Sequence, residues 1–153
     1  MPRVTRRRTI AAPLGEVWDL VSDPYSLPRW WPRTSRVESV DRKPEGKRSQ
    51  WTKVLETAEG RGVRADYRCL SSAERERYVW EQQLEGSPFE RHLRSSVVEI
   101  GLRAEGDGTT VSLTSDQKLR GMSRLGSPMM RGGQGKILDQ ALDGLERALG
   151  GSE

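Results

Sequence analysis

The chain has 153 residues, of which 33% are hydrophobic and 31% charged, with a formal net charge of +4 and a sequence pI of about 9.6. That length suits one domain, expected over residues 1–150 with a short tail at 151–153, and no run approaches the roughly 20 apolar residues of a membrane span. Arginine outnumbers lysine 21 to 5 and Arg6-Arg7-Arg8 resembles a nucleic-acid patch, but 22 acidic residues are interspersed and no basic helix, zinc motif or aromatic RNA-binding signature accompanies them, so nucleic acid is not an expected partner.

From Arg3 to Ile10 polar and apolar residues alternate loosely, which predicts a half-buried strand. Pro13 suits the first turn of a following helix, where its missing N–H costs nothing. Val17, Leu20 and Val21 then recur at spacings of three and four, with Leu14 and Trp18 as a second contact line, so this helix has one apolar side. Asp23-Pro24 ends it, because the residue before a proline disfavours helical geometry. Leu27-Pro28-Arg29-Trp30-Trp31-Pro32 comes next, and beyond it the chain reads as successive strands.

The first of these runs from Thr34 to Asp41, with a break at Lys43-Pro44-Glu45-Gly46 before a second from Arg48 to Glu56. Gly60 and Gly62 mark another turn. Val63, Ala65, Tyr67 and Cys69 alternate with Arg64, Asp66 and Arg68, the period of a sheet with one wet face. Arg75 to Leu84 carries Tyr78, Trp80 and Leu84 on one parity, and Gly86-Ser87-Pro88 closes it. A long strand from about Phe89 to Arg103 leads through Glu105-Gly106-Asp107-Gly108 into another from Thr109 to Leu119, with Val111 and Leu113 in phase. Connections this short favour antiparallel hairpins. From Met129 onward Met130, Ile137, Leu138, Ala141, Leu142, Leu145 and Leu149 follow helical spacing, and Gly150-Gly151 supplies an end. A sheet with one wet face must cover the other, and this long helix is the element able to do so.

The Ala12-Pro13-x-x-x-Val17-Trp18 helix entrance, Asp23-Pro24, Trp30-Trp31-Pro32, the Tyr67 to Trp80 hairpin, Gly108-Thr109-Thr110-Val111 and Leu138-Asp139-x-Ala141-Leu142-x-x-Leu145 together resemble the SRPBCC superfamily, also called START-like or Bet v-like, and within it the bacterial polyketide cyclase/dehydrase group. The resemblance spans nearly the whole chain and carries no catalytic motif. It implies an α+β helix-grip fold: a curved antiparallel sheet of about seven strands wrapped on a long C-terminal helix, with two short helices after the first strand. It also implies a cavity between helix and sheet for an apolar or amphipathic small molecule. Members include lipid carriers, hormone receptors and aromatic polyketide cyclases, so activity must come from the cavity lining.

Parity gives that lining. If the apolar residues of each strand face the helix, Arg6 and Arg8 share a face with Val4 and Ile10, Lys53 with Trp51 and Leu55, Gln82 with Trp80 and Leu84, and Gln117 with Leu113 and Leu119. Inward charges require a wet cavity, an ion pair or an oxygenated ligand; the other reading is that bulges shift the parity and these side chains reach solvent. Arg8, Gln82 and Leu113 are accordingly candidate ligand contacts. Trp30 or Trp31 falls where the family places the cavity's mouth, whereas Trp51 and Trp80 are either sheet packing or ligand contacts. In the last helix Met130, Gln134 and Leu138 are further candidates, since methionine fits irregular pockets. Gly132-Gly133-Gln134-Gly135-Lys136 fails as a phosphate loop because Ile137 replaces the required Ser or Thr, and its small residues would instead leave room for a ligand or a loop.

His92, the only histidine, shares parity with Val98, Ile100 and Leu102 and so reads as inward, although Phe89 and Leu93 on the other parity imply a bulge or a later strand start. It is either structural or exposed, or else a general acid or base on an enolisable carbonyl, with Tyr67 or Tyr78 as donors. Three functions follow: a binder or carrier of a lipid, isoprenoid or aromatic polyketide; a polyketide cyclase/dehydratase; or a partner-binding module. No cofactor or metal is expected, since the lone Cys69 excludes a disulfide and a cysteine-cluster site. A reduced cysteine and an N-terminus without an apolar signal segment suit a cytoplasmic monomer or homodimer.

Overall fold

The computed structural model describes residues 3–41, 49–56, 62–87, 89–119 and 127–150, with the side chains of 56 and 127–131 outside the description. Strand β1 (Arg3–Ile10) leads into helix α1 (Leu14–Val21), a 3-10 turn at Pro24–Ser26 and helix α2 (Leu27–Trp30). Six strands follow: β2 (Thr34–Asp41), β3 (Gln50–Glu56), β4 (Gly62–Ala73), β5 (Arg77–Gln83), β6 (Leu93–Glu105) and β7 (Gly108–Leu119). Helix α3 (Ser127–Ala148) closes the order. The sheet is antiparallel throughout, in spatial order β1-β7-β6-β5-β4-β3-β2, and it curves around α3 in the helix-grip arrangement that the sequence resemblance implies.

Each helix forms for a local reason. Pro13 stands just before α1 in extended geometry, and Val17, Leu20 and Val21 form the buried stripe. Asp23 then caps the 3-10 turn by accepting from the Tyr25 backbone N–H (3.1 Å) and the Ser26 hydroxyl (3.3 Å). In α3 Leu138, Ala141, Leu142 and Leu145 are completely buried. Gly150 follows in the left-handed conformation (φ 95°) that ends helices. Helix α3 packs on β1, β7 and α2. Its close approach to α2 depends on Gly144, where a β-carbon would run into the Trp30 backbone carbonyl.

Along β4 the alternation is clean: Ala65, Tyr67 and Cys69 are buried, and Arg64, Asp66 and Arg68 are exposed. Arg6 and Arg8 flank α3, where Arg6 pairs with Asp139 (3.6 Å) and Arg8 with Asp143 (2.5 Å) and Glu146 (2.8 Å). An ion pair across the helix therefore satisfies both inward arginines.

Several sequence expectations shift. Gly62 is the first residue of β4 rather than part of a turn; Gly60 lies outside the described residues, as do Lys43 to Gly46 and Arg48. Strand β5 starts at Arg77, because Glu74 to Glu76 form a turn with Arg75 at φ 63°, and it stops before Leu84. Strand β6 starts at Leu93, not Phe89: backbone bonds from the N–H groups of His92 and Leu93 to the Phe89 carbonyl tie this stretch into turns. A register shift between Leu93 and Ser95 then puts Leu93, Ser96, Val98, Ile100 and Leu102 on the buried face. Gly132 and Gly133 are exposed with open space around them, so they do not accommodate a loop; among the α3 glycines before Gly144, Gly135 is the one pressed by a side chain, that of Arg6.

Candidate functional site

Between α3 and the β3 to β7 part of the sheet lies a cavity of about 700 Å³. That is within the range of small-molecule sites. Strands β3 and β4 contribute Lys53, Leu55, Val63 and Tyr67; β5 adds Trp80 and Gln82; β6 adds Leu93, Ser96 and Val98; β7 adds Ser115 and Gln117. Helix α3 supplies Gln134 and Ile137, the segment after α2 supplies Trp31, Pro32 and Arg33, and the turn before β6 supplies Phe89 and His92. The wall is mostly apolar and aromatic, with a limited set of polar groups. Ser115 donates to the Gln134 side-chain oxygen (2.8 Å), and the Gln117 amide donates to Ser96 (3.1 Å). The Gln117 carbonyl oxygen is buried with no partner among the described residues, leaving an acceptor on the β6–β7 side of the cavity.

An aromatic cluster backs this chamber. Trp51 stacks on Tyr67 (6.2 Å between centroids, 11° between planes) and meets Trp80 edge-on (6.1 Å), while Trp31 meets Trp80 edge-on at 5.3 Å. Lys53 ends in this cluster. It is 3% exposed, and its Nζ lies 4.6 Å from the Tyr67 ring centroid and 5.1 Å from that of Trp31. Burial pulls the Lys53 amine down to about 7, because an ammonium taken from water has lost its hydration and no carboxylate among the described residues offsets that loss. Burial likewise pushes the Tyr67 phenol up, so its hydroxyl keeps its proton. The cavity thus holds a lysine poised between two charge states and a tyrosine that remains a neutral donor.

The family model described as polyketide cyclase / dehydrase and lipid transport matches residues 1–150. The chain belongs to this family. No curated protein matches it. Among solved structures, this polyketide cyclase/dehydrase-family chain is similar to a START superfamily protein from Mycobacterium smegmatis, with a TM-score of 0.80 at 19% identity and 99% of each chain covered. A protein from Thermus thermophilus gives a TM-score of 0.76 at 22% identity, again over 99% of both chains. The di-domain ARO/CYC StfQ from the steffimycin biosynthetic pathway gives 0.76 at 9% identity, with 97% of this chain matching 50% of that one. At these identities the shared property is the fold.

Within the polyketide cyclase/dehydrase frame, the candidate residues separate by position. Tyr67, Trp31, Trp80, Gln82 and Gln134 line the cavity. His92 also lines it, but from the exposed turn before β6 rather than from the inward parity of a strand, because β6 begins one residue later. Tyr78 is buried outside the lining, edge-on to Trp18 (6.1 Å). Trp30, Trp51, Leu113 and Leu138 belong to the core behind or beside the chamber. Arg8 is engaged with α3, and the side chain of Met130 lies outside the described residues. Lys53, Ser96, Ser115 and Gln117 line the cavity beyond the candidate set. The alternation Trp51-x-Lys53-x-Leu55 already turned Lys53 inward; its missing partner depends on which side chains neighbouring strands place beside it.

Proposed function

We propose that this protein binds a small amphipathic molecule, a lipid, an isoprenoid or an aromatic polyketide, in the cavity between the sheet and α3. One observation carries the reading: a chamber of about 700 Å³ walled mainly by apolar and aromatic side chains, with polar groups set into it. That is the pattern by which a pocket holds an apolar body and orients an oxygenated part. The unpartnered Gln117 oxygen fits a hydroxyl donor on the ligand. Residues 1–150 serve as one ligand-binding domain on this reading, in a cytoplasmic monomer or homodimer. Paired surface arginines support a small-molecule partner over nucleic acid: Arg3 with Asp116, Arg64 with Glu38, Arg68 with Glu81 and Arg77 with Glu99 all form ion pairs within 4 Å.

The test is native mass spectrometry of the purified protein beside a thermal-shift screen of fatty acids, isoprenoids, flavonoids and aromatic polyketides. A co-purified or stabilising ligand is the expected result. No response across the panel would remove the binding reading and favour the partner-binding module.

A polyketide cyclase or dehydratase is the second reading, favoured by Tyr67 and His92 lining the same chamber. Tyr67 would donate to a carbonyl oxygen while His92 moved a proton at the adjacent carbon. Tyr78, outside the lining, would act through packing and not on substrate. Turnover by wild type, lost in His92→Ala with ligand affinity retained, establishes this reading; equal losses in rate and affinity assign His92 to binding.

A further inference from the structure

We propose that the ligand is an acid: an apolar body carrying a carboxylate or an ionised phenol whose anionic oxygen pairs with the Lys53 amine. This rests on the small-molecule reading of the cavity and specifies the substrate class. The first support is geometric. Lys53 is 3% exposed, lines the cavity and has two aromatic rings beside its Nζ, at 4.6 and 5.1 Å. Rings attract a cation but cannot neutralise it or replace all the hydrogen bonds that an ammonium donates. The second support is the sign of the whole lining. Among the described residues its titratable groups are Arg33 after α2, Lys53 on β3, Tyr67 on β4 and His92 before β6, and none is an Asp or Glu. Acidic residues abound elsewhere on the chain, 22 in all, so a lining with three basic side chains and no carboxylate among the described residues has a local chemical consequence. An anionic ligand would complete the pair that the protein leaves half built.

A neutral ligand gains little there, since it would leave the amine buried and unpaired. An anion changes the amine's proton balance: with a negative oxygen beside it, Lys53 holds its proton far more tightly, so binding draws a proton from solution at a pH where the empty site is uncharged. The lowered proton affinity of the empty site supports this. Tyr67, pushed the opposite way by burial, keeps its proton and does not compete as the anion.

The experiment compares matched acids and alcohols by calorimetry: decanoate with 1-decanol, and 2-naphthoate with 2-naphthylmethanol. In at least one pair the acid is expected to bind about tenfold or more tightly than its alcohol, a factor that 1.4 kcal/mol supplies. At about pH 8, titration in two buffers of different ionisation enthalpy is expected to show uptake approaching one proton per acid bound. Lys53→Met should erase the preference by weakening the acid while leaving the alcohol within about threefold. Alcohols that bind as well as their acids, with no proton uptake, overturn the inference and leave the cavity reading standing. Binding by no member of either pair overturns both. Because proton uptake is measured on wild type, the inference stays falsifiable even if the variant does not fold.

Discussion

Burying an amine with no carboxylate beside it among the described residues makes stability depend on pH. The unfolded chain holds the Lys53 proton up to its ordinary value of 10.5, whereas the folded protein releases it near 7. Between those values the unfolded state binds more protons, so unfolding free energy rises with pH by up to about 1.4 kcal/mol per unit, and the full penalty is present below 7. Lys53→Met removes the amine while keeping a similar apolar length. In urea melts the variant is expected to exceed wild type by a few kcal/mol near neutral pH, the advantage shrinking steadily towards about pH 10. A difference that does not vary with pH would show that the amine keeps its ordinary proton affinity. Arg8 behaves differently, because its guanidinium, held protonated chiefly by its hydrogen bond to Asp143, meets two carboxylates at a largely solvated flank of α3. Arg8→Ala is expected to cost no more than about 1 kcal/mol in the same melts. Both side chains were legible as inward-facing from strand alternation; what each one meets was not, since Arg8 meets Asp143 and Glu146, some 135 residues along the chain, and Lys53 meets the rings of Trp31 and Tyr67 from other elements.

Helix α3 sets three of its glycines in two environments. At Gly144 a β-carbon would strike the backbone of Trp30, with its carbonyl carbon at 2.8 Å. Backbone cannot swing aside, so Gly144→Ala is expected to destabilise by about 1–3 kcal/mol despite alanine's better helix propensity. Gly132 and Gly133 have nothing within 4 Å of the same added atom. There propensity alone acts, and alanine at either position should stabilise by about 0.5–1 kcal/mol. Thermal melts of the three single variants check both signs at once. Equal effects at 132 and 144 would mean that α2 does not sit on α3 as described. The helical period of α3 was plain from Ile137 to Leu149, but identical glycines in sequence gave no sign of which one a neighbour presses. The same limit applied at the start of β6, where backbone bonds to Phe89 and the shift after Leu93 moved His92 from an inward strand position to the cavity's rim.

For the whole molecule, an occupied cavity and an empty one differ in stability by mass action. A ligand at 100 times its dissociation constant adds about 2.7 kcal/mol, which for a chain of this size corresponds to roughly 5–10 °C in Tm. Acids that satisfy Lys53 should produce the larger shifts at neutral pH, with the shift growing as ligand concentration rises. A concentration-independent Tm would argue against a site inside the fold. The elements and their order were determined by the sequence itself, because alternation in strands, three-and-four spacing in helices and the placement of Pro and Gly are local patterns that each segment carries alone; the helix-grip architecture was implied by the family resemblance of its motifs. Which inward side chains border empty space, which are sealed in core and which charge is left without a partner were decided only by the tertiary structure. Those properties arise from strand register, a bulge at β6 and the angle of one helix across the sheet, all of which bring together residues that have no relation along the chain.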